Sequence, residues 1–207
     1  MYEKNPMRIE EKSMEIIDES LSDVNFTEEE LQIVKRMIHT TGDVEYRHII
    51  DIRNNFIDVF RRDLKNGLTI YTDTRMAEAG INKRALKKLG ISIRCYVDDE
   101  RAFSLSKEKG TTRSAIGVEL AVEDGIDIFV FGNAPTALFR LLELYKEGKA
   151  SPKLIVGVPV GFVGAAESKE ALRETDIPQI STIGPKGGSN VASSIVNAIL
   201  YMTTERC

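Results

Sequence analysis

His39 is one of two histidines in the 207 residues, and it stands in Arg36-Met37-Ile38-His39-Thr40-Thr41-Gly42-Asp43, three residues after an arginine. Imidazole is the side chain whose unperturbed pKa best suits proton exchange near neutrality. Spacing alone leaves two readings open. A histidine near a helix C-terminus can be a favourable cap charge, or it can be an acid or base beside Arg36, which a helix places on the same side one turn earlier. His48 falls in Arg47-His48-Ile49-Ile50, a short apolar run that reads as strand, and a structural role suits it better. Arg113 opens a helical pattern in Gly110-Thr111-Thr112-Arg113-Ser114-Ala115. Turned inward, its guanidinium could fork onto a carboxylate; turned outward, it would be an ordinary surface charge. Glu167-Ser168-Lys169 reads as simple helix-start polarity.

The glycine-rich segments suggest anion binding. Gly187-Gly188-Ser189 heads a helical pattern, so its N–H groups would lie unpaired at the positive end of the helix dipole. Gly132-Asn133-Ala134-Pro135-Thr136 offers the same arrangement, with Pro135 suited to a first helical turn. The alternative for each loop is a tight turn and nothing more. Gly157, Gly161 and Gly164 follow a strand pattern with GxxxGxxG spacing and an intervening Pro159, which is not the dinucleotide fingerprint. Lys186 precedes the paired glycines, which excludes a P-loop.

These segments need elements to hold them. Met7, Met14, Ile17 and Leu21 recur at near-helical spacing, and Thr27-Glu28-Glu29-Glu30 is a capping-box signal for a second helix that must end near Gly42. Strands are expected at Arg47–Ile50, Leu68–Tyr71, Ile91–Tyr96, Asp127–Phe131 and Leu154–Val158. Ile128 to Phe131 is apolar without alternation, as for a strand covered on both faces. Helices are expected at about Ile52–Lys65, Asn82–Leu89, Arg113–Glu123, Thr136–Glu147, Ala166–Glu174 and Ser189–Met202. The fold class is therefore α/β: a single domain spanning 1–207, a mostly parallel sheet flanked by helices, preceded by an N-terminal helical segment. Ligands of such sheets bind beyond the carboxyl ends of the strands, where the glycine-rich and polar segments all fall.

Composition narrows the function. A net charge of -4 gives no footprint for nucleic acid. The N-terminus lacks an apolar signal region, and no apolar run approaches a bilayer-spanning length, so a reduced cytoplasmic setting without membrane attachment is expected. Two cysteines and two histidines offer no metal-ligand cluster. Cys95 reads as a small buried hydrophobe, and Cys207 ends the chain.

Taken in order, Arg36-x-x-His39-x-x-Gly42-Asp43, Thr112-Arg113-Ser114-Ala115, Gly132-Asn133-Ala134-Pro135-Thr136-Ala137-Leu138, Pro159-Val160-Gly161-Phe162-Val163-Gly164-Ala165-Ala166-Glu167-Ser168-Lys169 and Lys186-Gly187-Gly188-Ser189-Asn190 closely resemble the precorrin-8X (cobalt-precorrin-8) methylmutase family of corrin biosynthesis. The resemblance covers nearly the whole chain. It implies an isomerase that moves a methyl group from C-11 to C-12 of a tetrapyrrole, a 1,5-sigmatropic shift needing no redox cofactor and no methyl donor. It implies His39 as the catalytic residue, protonating the macrocycle, with Ser13, Arg36 and Arg113 contacting substrate. It also implies a homodimer with the site near the subunit interface. A polycarboxylate substrate would suit local arginines and helix N-termini, and Phe162 and Val163 suit the face of a flat macrocycle. Two alternatives stand beside this reading: a nucleotide-dependent α/β enzyme, and a non-catalytic tetrapyrrole carrier.

Overall fold

The structure is a computed structural model and describes residues 4–64 and 67–204; Cys207 and the expected helix end at Lys65 lie outside them. Helix α1 (Pro6–Ser20) starts where Asn5 accepts a hydrogen bond from the Met7 N–H and Pro6 supplies the first turn. Helix α2 (Glu28–Thr41) has the full capping box: Thr27 accepts from the Glu30 N–H while Glu30 accepts from the Thr27 N–H. It ends at Gly42, whose left-handed backbone (φ 67°) returns its N–H to the Ile38 carbonyl.

Beyond this point the chain runs α3 (Tyr46–Ile49), β1 (Ile50–Arg53), α4 (Phe56–Leu64), β2 (Thr69–Thr72), α5 (Arg75–Gly80), α6 (Lys83–Leu89), β3 (Ser92–Arg94), α7 (Glu100–Lys109), α8 (Arg113–Glu123), β4 (Ile128–Phe131), α9 (Pro135–Lys146), β5 (Leu154–Gly157), α10 (Ala165–Arg173), β6 (Gln179–Thr182) and α11 (Ser189–Thr203). The six strands form one sheet in the order β1-β6-β5-β4-β2-β3. All pair in parallel except the edge strand β1, which runs antiparallel to β6 with Ile50 opposite Thr182.

The pleat divides the core in two. Ile70, Ile128, Val130, Leu154, Val156 and Ile180 face α1, α2, α4, α6 and α11. Tyr71, Phe129, Phe131 and Ile155 face the other way, onto α7, α8, α9 and α10. Both faces of β4 and β5 are thus covered, which is why Ile128–Phe131 shows no alternation. The fold class read from the sequence holds, including the leading helices.

Three local expectations do not. Arg47–Ile50 is mostly a helical turn: buried Tyr46 turns the chain inward, and the strand begins only at Ile50, leaving His48 on an exposed helical turn beside Arg47. The strand around Cys95 is limited to Ser92–Arg94, with Cys95 buried as expected just beyond it. The helix expected from Ile52 begins at Phe56, because Asn54 and Asn55 both adopt positive φ to turn the chain out of β1.

Candidate functional site

Four parallel strands, β2, β4, β5 and β6, deliver their following loops to one sheet edge. At its centre is a carboxylate. Asp73, directly after β2, is buried and accepts three backbone N–H bonds: from Gly132 at 3.0 Å, Asn133 at 2.8 Å and Ala134 at 2.7 Å. The N–H groups expected to hold a ligand's carboxylate therefore hold the protein's own. Burial pushes the Asp73 carboxyl above the usual aspartate range, against the opposing pull of those three N–H groups. This loop lies between β2 and β4, where the strand order reverses and a doubly wound sheet opens its ligand crevice.

The second glycine loop is also engaged internally. The Gly188 N–H donates to the Val158 carbonyl at 2.9 Å, and a Cβ on Gly187 would stand 2.1 Å from that same oxygen. Gly187 is small because two loops pack backbone to backbone there, and of the N–H groups expected to face a ligand that of Gly188 is spent inside the protein. Ser189 instead meets the Thr74 hydroxyl at 2.8 Å, joining the heads of α11 and α5.

His39 is exposed in the last turn of α2. The end of that helix is tied to the sheet edge. Lys186, in the loop after β6, reaches both Asp43 and Glu45, and the Tyr46 hydroxyl donates to the Gly187 carbonyl at 3.4 Å. The Lys186 hydrogen bond holds the Asp43 carboxyl below the usual carboxylate range, while burial raises the Tyr46 phenol.

Arg36 lies one turn back along α2, its guanidinium 5.2 Å from the centre of the Tyr201 ring. It lines a groove of about 200 Å³ between α2 and α11 with Thr40, Asn190 and Asn197. It also borders a larger groove of about 610 Å³ shared with Glu28, Glu29, Lys35 and Arg61.

Arg113 is exposed at the first turn of α8, where Thr112 caps Ala115 and its hydroxyl lies 3.0 Å from that of Thr136. It therefore stands at the edge where α8 and α9 both begin. Ser13 is placed differently. Its hydroxyl donates to the Ile9 carbonyl at 2.7 Å, on a stripe of α1 whose flanking Ile9 and Ile16 are exposed, while Ile17 and Leu21 face the core. The structure thus brings Arg36 and His39 together on α2, puts Arg113 on the sheet edge, and leaves Ser13 on an outward helical face.

Apolar surface gathers on the same loops. Phe162 is 98% and Val163 89% exposed in the segment after β5, and exposed Val160, Ile183 and Val44 belong to this and the neighbouring loops. Asp73, Lys169 and Lys186 carry roles that sequence reasoning missed. Lys169, expected as helix-start polarity, is fully buried. The available signal was a set of charged residues next to strand ends and glycines. Among the described residues no group of three or more His, Cys, Asp and Glu side chains comes together to hold a metal ion, and no helix is long and apolar enough to cross a membrane.

This is a doubly wound α/β protein whose exposed apolar side chains Phe162 and Val163 stand on a loop at the strand ends, with Arg36 and His39 on α2 and Arg113 at the head of α8. The family model described as precorrin-8X methylmutase matches residues 8–202. A cobalt-precorrin-8 methylmutase of Salmonella typhimurium is 44% identical over 211 residues, covering 99% of both chains. A precorrin-8X methylmutase of a Sinorhizobium species is 37% identical, covering 96% of this chain and 95% of its own. The crystal structure of a precorrin-8X methylmutase from Thermus thermophilus superposes with a TM-score of 0.87 at 34% identity, over 95% of this chain and 96% of the other. The chain belongs to the precorrin-8X methylmutase family, a family of isomerases.

Proposed function

We propose that this chain, working as one domain over 1–207, moves a methyl group from C-11 to C-12 of precorrin-8X or cobalt-precorrin-8 in cobalamin biosynthesis, giving hydrogenobyrinate or cobyrinate. The observation that carries the reading is the family match over residues 8–202 together with His39, exposed at the end of a helix clamped to the sheet edge. His39 donates a proton to the macrocycle. Protonation draws electron density from the conjugated ring and weakens the bond to the migrating methyl, which leaves C-11 and bonds to C-12 with no change in composition. Product formation returns the proton.

Arg36 and Arg113 meet substrate carboxylates from the two sides of the sheet edge. Phe162 and Val163 lie against the macrocycle face; side chains this exposed cost the free protein apolar surface that a flat ligand would cover. Ser13 contacts substrate as well. Its outward stripe on α1, flanked by Ile9 and Ile16, suits a homodimer in which a second copy covers that face. The work is done in the cytoplasm.

The test is conversion of precorrin-8X or its cobalt form by purified protein with no added cofactor, followed by absorption spectroscopy. Release of unchanged substrate would favour a carrier, and thermal stabilisation by a dinucleotide but not a corrinoid would favour a nucleotide enzyme. The second outcome fits poorly with the crevice N–H groups being taken by Asp73.

A further inference from the structure

Lys169 in α10 has no exposed surface, an uncommon position for an ammonium group. Its Nζ donates to the Thr182 hydroxyl at 3.1 Å and to the Lys186 carbonyl at 2.8 Å. The Thr182 hydroxyl donates to the same carbonyl at 2.6 Å. The charged group that bears on Lys169 is another cation, Arg173, one turn further along α10, whose guanidinium donates to the Ser181 hydroxyl at 3.2 Å and the Thr182 carbonyl at 3.3 Å. Burial, and then Arg173, lower the Lys169 ammonium to about 8, so it stays mainly charged at neutral pH. An unpaired buried cation costs stability, and its donors are aimed at one place.

That place is the bracket of the sheet edge. The backbone of Lys186 is pinned from inside by Lys169 and Thr182, while its side chain reaches outside to Asp43 and Glu45, just past the end of α2. The neighbouring backbone is fastened too. Pro185 accepts from the Gly161 N–H at 3.1 Å, Gly187 accepts from Tyr46, and Gly188 donates to Val158. One short loop therefore links the His39 helix to the segment that carries Phe162 and Val163.

The geometry points to Lys169 as a positioning residue for the reaction site: from inside the protein it fixes the Lys186 loop, which fixes the end of α2 and with it His39. This rests on the reading of His39 given above. A displacement of about 1 Å at a reacting group costs on the order of 100-fold in rate, so losing the internal pin acts on turnover as well as on stability.

The test is a double-mutant cycle on the full-length protein, with kcat and KM measured for precorrin-8X or its cobalt form in Lys169→Met, Lys186→Met and the pair. Each single change is expected to lower kcat/KM about 10-fold, and the pair no more than about 30-fold, because both act through one loop. A loss of about 100-fold in the pair, the additive value, overturns the inference. So does a Lys169→Met enzyme that melts earlier yet turns over normally. If Lys169→Met fails to fold, Thr182→Val, which removes the shared hydroxyl, replaces it in the cycle and the same outcomes decide. His39→Ala is assayed alongside. Retained turnover there defeats the His39 reading, whereas additive losses with His39→Ala inactive defeat this inference alone.

Discussion

Lys186 reaches across from the loop after β6 to the carboxylate of Asp43, one residue past the glycine that ends the His39 helix. The contact joins positions 143 residues apart in the chain. An ion pair this exposed is screened by water and adds little to stability, so its importance lies in placement. Asp43 has a carboxyl lowered mainly by this hydrogen bond. A carboxylate with a lowered folded pKa stabilises the fold above its ordinary value, here 3.8, and that stabilisation is lost as pH falls through the lowered value. In Lys186→Met the Asp43 carboxyl should return toward 3.8, as read by a carboxyl-carbon NMR titration. An unmoved titration would mean that the pair does not form in solution.

Asp73 should be among the costliest single positions. Replacing it with Ala leaves three N–H groups unpaired in a buried crevice, and a buried donor left without its acceptor costs about 1–3 kcal/mol. Asp73→Asn keeps an acceptor but turns a donor toward the same N–H groups, and should fall between wild type and Ala. Urea unfolding of the three proteins gives the order.

Gly187→Ala should also destabilise, for a steric reason. The new methyl would stand 2.1 Å from the Val158 carbonyl oxygen, so the β5 and β6 loops must separate. Overpacking of a tight contact typically costs about 1–3 kcal/mol. Thermal melting of Gly187→Ala against wild type checks it.

Phe162→Ser should leave stability within about 0.5 kcal/mol, as expected for a surface change away from packing. It should nevertheless weaken binding of the corrin product, measured by absorption titration. Equal binding by Phe162→Ser and wild type would remove the aromatic ring from the substrate cleft.

Lys169 has its own pH signature. Its folded pKa of about 8 lies below the ordinary 10.5, so the unfolded chain binds more protons between those values and stability rises with pH across that window. The stability difference between wild type and Lys169→Met should shift in favour of wild type from pH 8 upward. Paired urea melts at several pH values supply the measurement.

Much of this was legible in the residues. Helix α2 declared itself through Thr27 and Glu30 at one end and Gly42 at the other, and the apolar run Ile128–Phe131 announced a strand covered on both faces. Strand β6 was hidden because Gln179, Ser181 and Thr182 are polar yet fully buried, hydrogen-bonded to partners such as Leu172, Lys169 and Arg173 that only the fold supplies, with the Gln179 side-chain oxygen left unpaired. Helix α7 has a polar face and little apolar surface, so hydrophobic spacing could not mark it. The glycine loops were recognised as special, but spacing could not show that Asp73 fills one and Val158 packs against the other. His39 and Arg36 were placed correctly on one helix because an i, i+3 relation is local; Ser13 and Arg113 depend on distant packing.

The most direct test is turnover by His39→Ala. The variant should fold, retain its affinity for the tetrapyrrole, and show no conversion of precorrin-8X or cobalt-precorrin-8 by absorption spectroscopy in a single-turnover assay. Full conversion at the wild-type rate would contradict the role given to His39.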